Sequence, residues 1–125
     1  MEDSENMTDY FKAYRREAEH LAELCRKSIT CDPSDGNEAY FYRGLAYIVL
    51  GRANDAANDF MRCARGNESI KAVCYYNIGI AYKNAGRYNA ALDQFKNARQ
   101  YFSDADNKER CLRKIKECQQ KISGK

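Results

Sequence analysis

Six cysteines and a single histidine are the residues of this chain best suited to do chemistry. The cysteines are Cys25, Cys31, Cys63, Cys74, Cys111 and Cys118. No two of them form a Cys-x-x-Cys pair, the spacing typical of zinc ligands and redox-active thiols. Several of them fall at small positions on apolar helix faces. The sequence therefore predicts reduced, buried thiols rather than three disulfides, which is typical of a reducing compartment.

The histidine and the paired carboxylates do not form a recognisable catalytic set. His20 lies on the polar side of the first predicted helix, and a metal site or nucleophilic triad would need partners that the sequence does not supply. Glu19 and Glu23, four residues apart, are typical of a solvated helix face. We expect no enzymatic activity, no metal and no cofactor.

Composition limits the class of protein. A chain of 125 residues fits one domain, and 44% apolar residues are enough for an ordinary core. A net charge of +3 with 31% charged residues is only mildly basic, so nucleic-acid binding is not favoured. The longest apolar stretch, residues 39–50, is interrupted by Arg43, so no membrane span is predicted. The N-terminus is acidic, unlike a signal peptide, and we expect a cytoplasmic or alternatively nuclear location.

Helix periodicity and end signals predict six helices behind a disordered tail at residues 1–7. The leading helix spans 8–31, because Thr8 can cap its start and Pro33 follows its end. Asp35, with Glu38 three residues on, predicts the cap of the second helix. The remaining predictions are helix ends at Gly51 and Gly86, helices over 54–64, 69–85 and 89–101, and a capping helix over 105–122.

The predicted helices contain an internal repeat. Residues 40–60 and 75–95 share nine identities at a shift of 35 residues, at Tyr40, Gly44, Ala46, Tyr47, Gly51, Arg52, Asn54, Ala56 and Phe60 and their counterparts. Glycine and alanine at fixed spacing let two helices approach closely, and the aromatic side chains fill the remaining space. A repeat of this length predicts helical hairpins stacked side by side.

Two stretches resemble the tetratricopeptide repeat: Tyr-x-x-Arg-Gly-x-x-Tyr at 40–47 with Ala-x-x-x-Phe at 56–60, and their counterparts at 75–82 and 91–95. The chain departs from the family pattern with Tyr40 for tryptophan, Arg43 for leucine, Cys63 for alanine, and 35 residues per repeat rather than 34. The resemblance implies an all-α fold of antiparallel hairpins stacked as a short α-solenoid. It covers one domain at 8–125, with repeats at 37–70 and 72–105 and an incomplete leading repeat.

The resemblance also implies a function, which is binding of a partner's peptide or helix in a concave groove. Independently of the family, Phe41, Leu45 and Ile48 form an extra apolar stripe on the second helix. The implied groove residues are Phe41, Tyr42, Leu45, Ile48, Val49, Val73, Tyr76, Asn77, Ile80, Lys83 and Asn84. Family members that clamp a chaperone's terminal carboxylate use lysine and asparagine where Phe41 and Leu45 stand, so that ligand is not expected. An adaptor or co-chaperone-like module is the expected function.

Three alternatives stay open at this point. The N-terminal residues or the first helix fold over the apolar stripe and bury it. A second copy of the chain occupies the stripe, giving a homodimer. The basic residues of 108–125 bind nucleic acid weakly, although a solvated capping face explains them better.

Overall fold

The computed structural model describes residues 2–31, 36–66 and 68–124, with side chains at 14–29, 38–65 and 68–124. The described residues form six α-helices and no strand. The helices are α1 (Glu2–Cys31), α2 (Gly36–Val49), α3 (Ala53–Gly66), α4 (Lys71–Asn84), α5 (Tyr88–Tyr101) and α6 (Ala105–Ile122). The all-helical prediction is confirmed.

The helices pack in sequence order. Each of them lies against the next one along the chain, and α2 also touches α4 directly. Lys83 of α4 reaches Glu117 of α6. The even-numbered helices therefore follow one another along one side, as in a helical solenoid, and the solenoid-like arrangement expected from the repeat is present.

Two helices begin at least two residues away from their predicted starts. The first helix begins at Glu2, six residues before the predicted Thr8. A 3₁₀ turn at Glu68–Ile70 precedes α4, so α4 begins at Lys71 rather than at residue 69. The predicted cap at Asp35 lies outside the described residues. The domain boundaries stay predictions, and the tail predicted at 1–7 overlaps α1, which begins at Glu2.

Two glycines close helices in the same way, one in each repeat. Gly51 and Gly86 have φ angles of +74° and +78°, which lie in the left-handed region that glycine adopts without strain. The amide of Arg52 donates to Tyr47 O at 2.9 Å, and Arg87 donates to Tyr82 O at the same distance. These bonds satisfy carbonyls that a helix end leaves open, as in a Schellman motif. The predicted helix ends at both glycines are confirmed.

Two other glycines make room for an aromatic ring. A Cβ added at Gly44 would lie 2.8 Å from the Phe60 ring, and one added at Gly79 would lie 2.6 Å from the Phe95 ring. No real side chain tolerates such distances, so each phenylalanine packs directly onto the backbone of the preceding helix. Both rings are fully buried. The predicted close approach therefore occurs at the same position of both repeats.

The buried residues form two clusters. The first core, around Phe60, contains Ala53, Ala56, Ala57, Cys63, Ala64, Cys74, Ile78 and Ala81. The second core, around Phe95, contains Ala91, Ile115 and Cys118. Tyr82 packs against both, so it joins the two repeats.

Candidate peptide-binding groove

The apolar stripe of α2 is only partly exposed. Phe41, Leu45 and Ile48 are half-buried, and all three pack against the first core. The rings of Phe41 and Phe60 meet edge to face, with 5.5 Å between their centroids. These side chains therefore support the fold with one side and offer the other side to solvent or to a partner.

Three predicted groove residues are apolar and exposed. Val49 exposes 54% of its surface, Tyr42 exposes 44% and Val73 exposes 37%. Tyr42 also lines a cavity of about 260 Å³ with Leu24 and Cys25 of α1. Tyr42 therefore belongs to the junction of α1 and α2, while Val49 and Val73 present apolar surface on α2 and α4.

The middle of the predicted groove consists of Tyr76 and Ile80 on α4. Both are half-buried and pack against the second core. The Tyr76 ring lies edge to face with Phe95, at 5.4 Å between centroids. Burial raises the pKa of the Tyr76 hydroxyl above its ordinary value, while the positive charges of Arg110 and Arg113 act in the opposite direction. Tyr76 therefore lies within reach of α6.

The far end of the predicted groove is charged. Lys83 Nζ lies 2.8 Å from Glu117 Oε2, and Lys114 Nζ lies 3.6 Å from the same oxygen. The Lys83 contact lowers the pKa of Glu117, and Glu117 raises the pKa of Lys83. Asn77 is half-buried and Asn84 is exposed. Lys83 is thus not a free cation for a ligand, because α6 already supplies its counter-charge.

The sequence missed the part that α6 plays here. Its residues Arg110, Arg113, Lys114 and Glu117 lie beside groove residues of α4, whereas the predicted groove included no residue of α6. A signal was present, because the buried pair Cys74 and Ile78 recurs with the same spacing at Cys111 and Ile115. That spacing aligns α6 with α4 despite the absence of the glycine and aromatic pattern.

The alternative that the N-terminal part covers the stripe is tested only in part. Helix α1 packs on α2, and its Cys25 is buried. Cys25 lines a cavity with Ala39 and Tyr42 of α2. Tyr42 is three residues from Leu45, and at that spacing the two side chains lie next to each other on one helix face, so α1 packs at the edge of the stripe. The side chains of residues 2–13 lie outside the described residues, so their covering of the stripe is not tested.

The cysteines considered for chemistry are placed where they have little access to a substrate. The side chains of Cys25, Cys63, Cys74, Cys111 and Cys118 are buried, as predicted, and the Cys31 side chain lies outside the described residues. Burial raises the pKa of Cys25, Cys111 and Cys118, which disfavours the reactive thiolate. His20 is exposed on α1. The part of the chain that the structure describes holds no group of three or more side chains arranged to bind a metal.

Comparison with known proteins assigns no family. No protein-family model matches the chain, and no curated protein matches it either. Within the described ranges, no helix is long and apolar enough to span a membrane.

Proposed function

We propose that this protein is a non-enzymatic interaction module of the tetratricopeptide-repeat type, which binds a peptide or helix of a partner protein along α2 and α4. The apolar surface that stays partly exposed along these two helices carries the proposal. Helices α2 and α4 contact each other directly. Phe41, Leu45 and Ile48 on α2 and Tyr76 and Ile80 on α4 are each half-buried rather than closed into the core. An apolar surface of this kind gains free energy when a partner covers it.

The repeat geometry supports the tetratricopeptide-like assignment. Two hairpins share the same glycine-to-phenylalanine packing and the same glycine-closed helix end. Repeats built in this way present a continuous surface formed by equivalent helices, which suits an extended or helical ligand. The burial of the five described cysteines on helix faces supports a reducing compartment, cytoplasmic or nuclear.

The binding surface can be tested with two matched substitutions. Val49 and Ile122 are exposed apolar residues, and each is the last residue of its helix, α2 and α6 respectively. Aspartate at either position opposes the helix dipole in the same way, so any effect on stability should be alike. Peptides are first selected on the wild-type protein from a random display library, and their dissociation constants are then measured by fluorescence anisotropy.

The proposed groove requires that V49D raises the dissociation constant of the selected peptides by about tenfold or more, the scale of an interface residue. I122D should leave their dissociation constants unchanged. Equal loss in both variants would contradict it. Light scattering on the same samples tests self-association. A stable dimer that V49D dissociates would show that a second copy occupies the surface.

A further inference from the structure

A basic cavity lies between α5 and α6, away from the surface described above. Its volume is about 330 Å³, and its lining is Lys96, Arg99 and Gln100 of α5 with Lys108 and Ile115 of α6. The side of α6 that it uses is opposite to the groove. Lys108 and Glu117 are nine residues apart, which at about 100° per residue places them half a turn from each other.

The three cations of this cavity form no ion pair among the described residues. Lys96, Arg99 and Lys108 take part in none of the ion pairs formed there, whereas Lys83 and Lys114 share Glu117. Asp104, which caps α6, keeps its negative charge but hydrogen-bonds to Asn107 rather than to a cation of the cavity. Its carboxylate accepts hydrogen bonds at 3.0 Å from the backbone and side-chain nitrogens of Asn107.

Three like charges held around one cavity repel each other, and an anion that bridges them relieves this repulsion. The guanidinium of Arg99 can donate two parallel hydrogen bonds to one phosphate group, and the ammonium groups of Lys96 and Lys108 act as point charges. The Gln100 amide adds a neutral donor. The buried Ile115 lies among these polar groups and provides a limited apolar contact.

We propose that this cavity binds a small anion that carries two or more phosphate groups. A single phosphate or sulfate would leave part of the positive charge unbalanced, while a diphosphate or triphosphate can reach cations on both helices. A nucleic-acid strand is the less suitable ligand. It needs a basic track along its backbone and aromatic faces for its bases, and the lining of this cavity contains no aromatic ring.

The first experiment uses the unaltered protein and inorganic diphosphate. Amide chemical shifts are followed by NMR during a titration, with sulfate and citrate as comparison anions. Saturable shifts centred on Lys96, Arg99, Gln100 and Lys108, with weaker binding of sulfate and citrate, are expected. Absence of saturation would overturn the proposal, and equal binding of citrate would overturn the phosphate assignment.

The second experiment uses charge-removing substitutions at exposed positions, so the fold should be kept. R99Q and K108Q should each weaken diphosphate binding by about tenfold, since each removes a charge-assisted contact. K121Q is the matched control, because Lys121 is an exposed cation on the other side of α6. If K121Q weakened diphosphate binding as much as R99Q and K108Q do, the anion would not be bound at a defined site, and the proposal would be overturned. A single-stranded oligonucleotide that binds more tightly than triphosphate, and that K121Q also weakens, would show a nucleic-acid surface instead.

Discussion

Arg43 of α2 and Asp59 of α3 form a two-hydrogen-bond ion pair, with Nε to Oδ2 at 2.7 Å and Nη2 to Oδ1 at 2.8 Å. The side chains are only 19% and 5% exposed. The hydrogen bond to Asp59 holds the pKa of Arg43 above its ordinary value. The guanidinium carbon also lies 5.5 Å from the ring centroids of Tyr40 and Tyr47. The arginine that departs from the repeat pattern is therefore compensated by an acid on the partner helix.

The first prediction concerns this pair. Removal of one partner leaves the other charge buried and unpaired, so Asp59→Ala should lower the free energy of unfolding by about 3 kcal/mol or more. The double variant R43I/D59L removes both charges, with isoleucine matching Ile78 of the second repeat, and should recover most of that loss. Urea unfolding of the three proteins measures both effects.

The exposed pair of Glu23 and Arg26 provides the control. Its nitrogen-to-oxygen distance is also 2.7 Å, yet about half of each side chain is in contact with solvent. Glu23→Ala should therefore leave the unfolding midpoint unchanged.

The outcome that would contradict the first prediction is a double variant of Arg43 and Asp59 as unstable as Asp59→Ala. It would show that the ion pair itself, rather than the unpaired charge, decides the stability of this site.

The second prediction concerns the equivalent position in the second repeat. Gln94 Oε1 is buried and accepts no hydrogen bond from the described residues. A buried acceptor without a donor costs about 1–3 kcal/mol, and methionine has a similar shape without the polar atoms. Gln94→Met should therefore raise the melting temperature. Gln119→Met, at an exposed position of α6, should not change it. A lower melting temperature for Gln94→Met would show that Oε1 has a partner in solution.

Much of this fold could be predicted from the sequence because it depends on local spacing. One hairpin is defined by Gly44 with Phe60 and the other by Gly79 with Phe95. The helix ends are marked by Gly51 and Gly86, which recur at the same shift of 35 residues. The Arg43–Asp59 contact could not be predicted, because it depends on how two helices are aligned along each other. For the same reason the depth of burial of Phe41 and Leu45 stayed open from the sequence, and the structure half-buries them against the first core. How deeply a residue is buried depends on helix packing distance, which residue spacing does not specify.

A third prediction tests the close packing at the second glycine. Alanine has the higher helix propensity, by about 1 kcal/mol, so Gly79→Ala would stabilise a helix that had free space there. Its Cβ would instead lie 2.6 Å from the fully buried Phe95 ring. We therefore expect Gly79→Ala to destabilise the protein by about 1–3 kcal/mol. Thermal unfolding followed by circular dichroism measures the change.

The companion variant G79A/F95L provides a check, because leucine is smaller and can move away from the added methyl group. It should be no less stable than F95L alone, since the methyl group then meets no ring. A single Gly79→Ala variant that melts above the wild type would contradict the packing described for both repeats.

The last prediction separates folding from binding at the stripe. Phe41 and Leu45 each contribute to the first core, so the double variant F41A/L45A should lose about 3 kcal/mol of stability, less than two fully buried truncations would cost. If they also form the binding surface, the affinity for a selected peptide should fall by about 2 kcal/mol or more. Binding is measured at a temperature at which circular dichroism shows the variant to be folded.

Met61 supplies the control for this double substitution. It is half-buried and packs against the same first core, but it belongs to α3 and to none of the predicted groove positions. Met61→Ala should therefore reduce stability while peptide affinity stays at the wild-type value. If peptide affinity fell in both F41A/L45A and Met61→Ala, in proportion to the stability that each variant loses, the binding signal would only report the fraction of folded protein. An unchanged affinity in F41A/L45A would place the partner on another surface, because the side chains at the centre of the stripe would then contribute nothing to it.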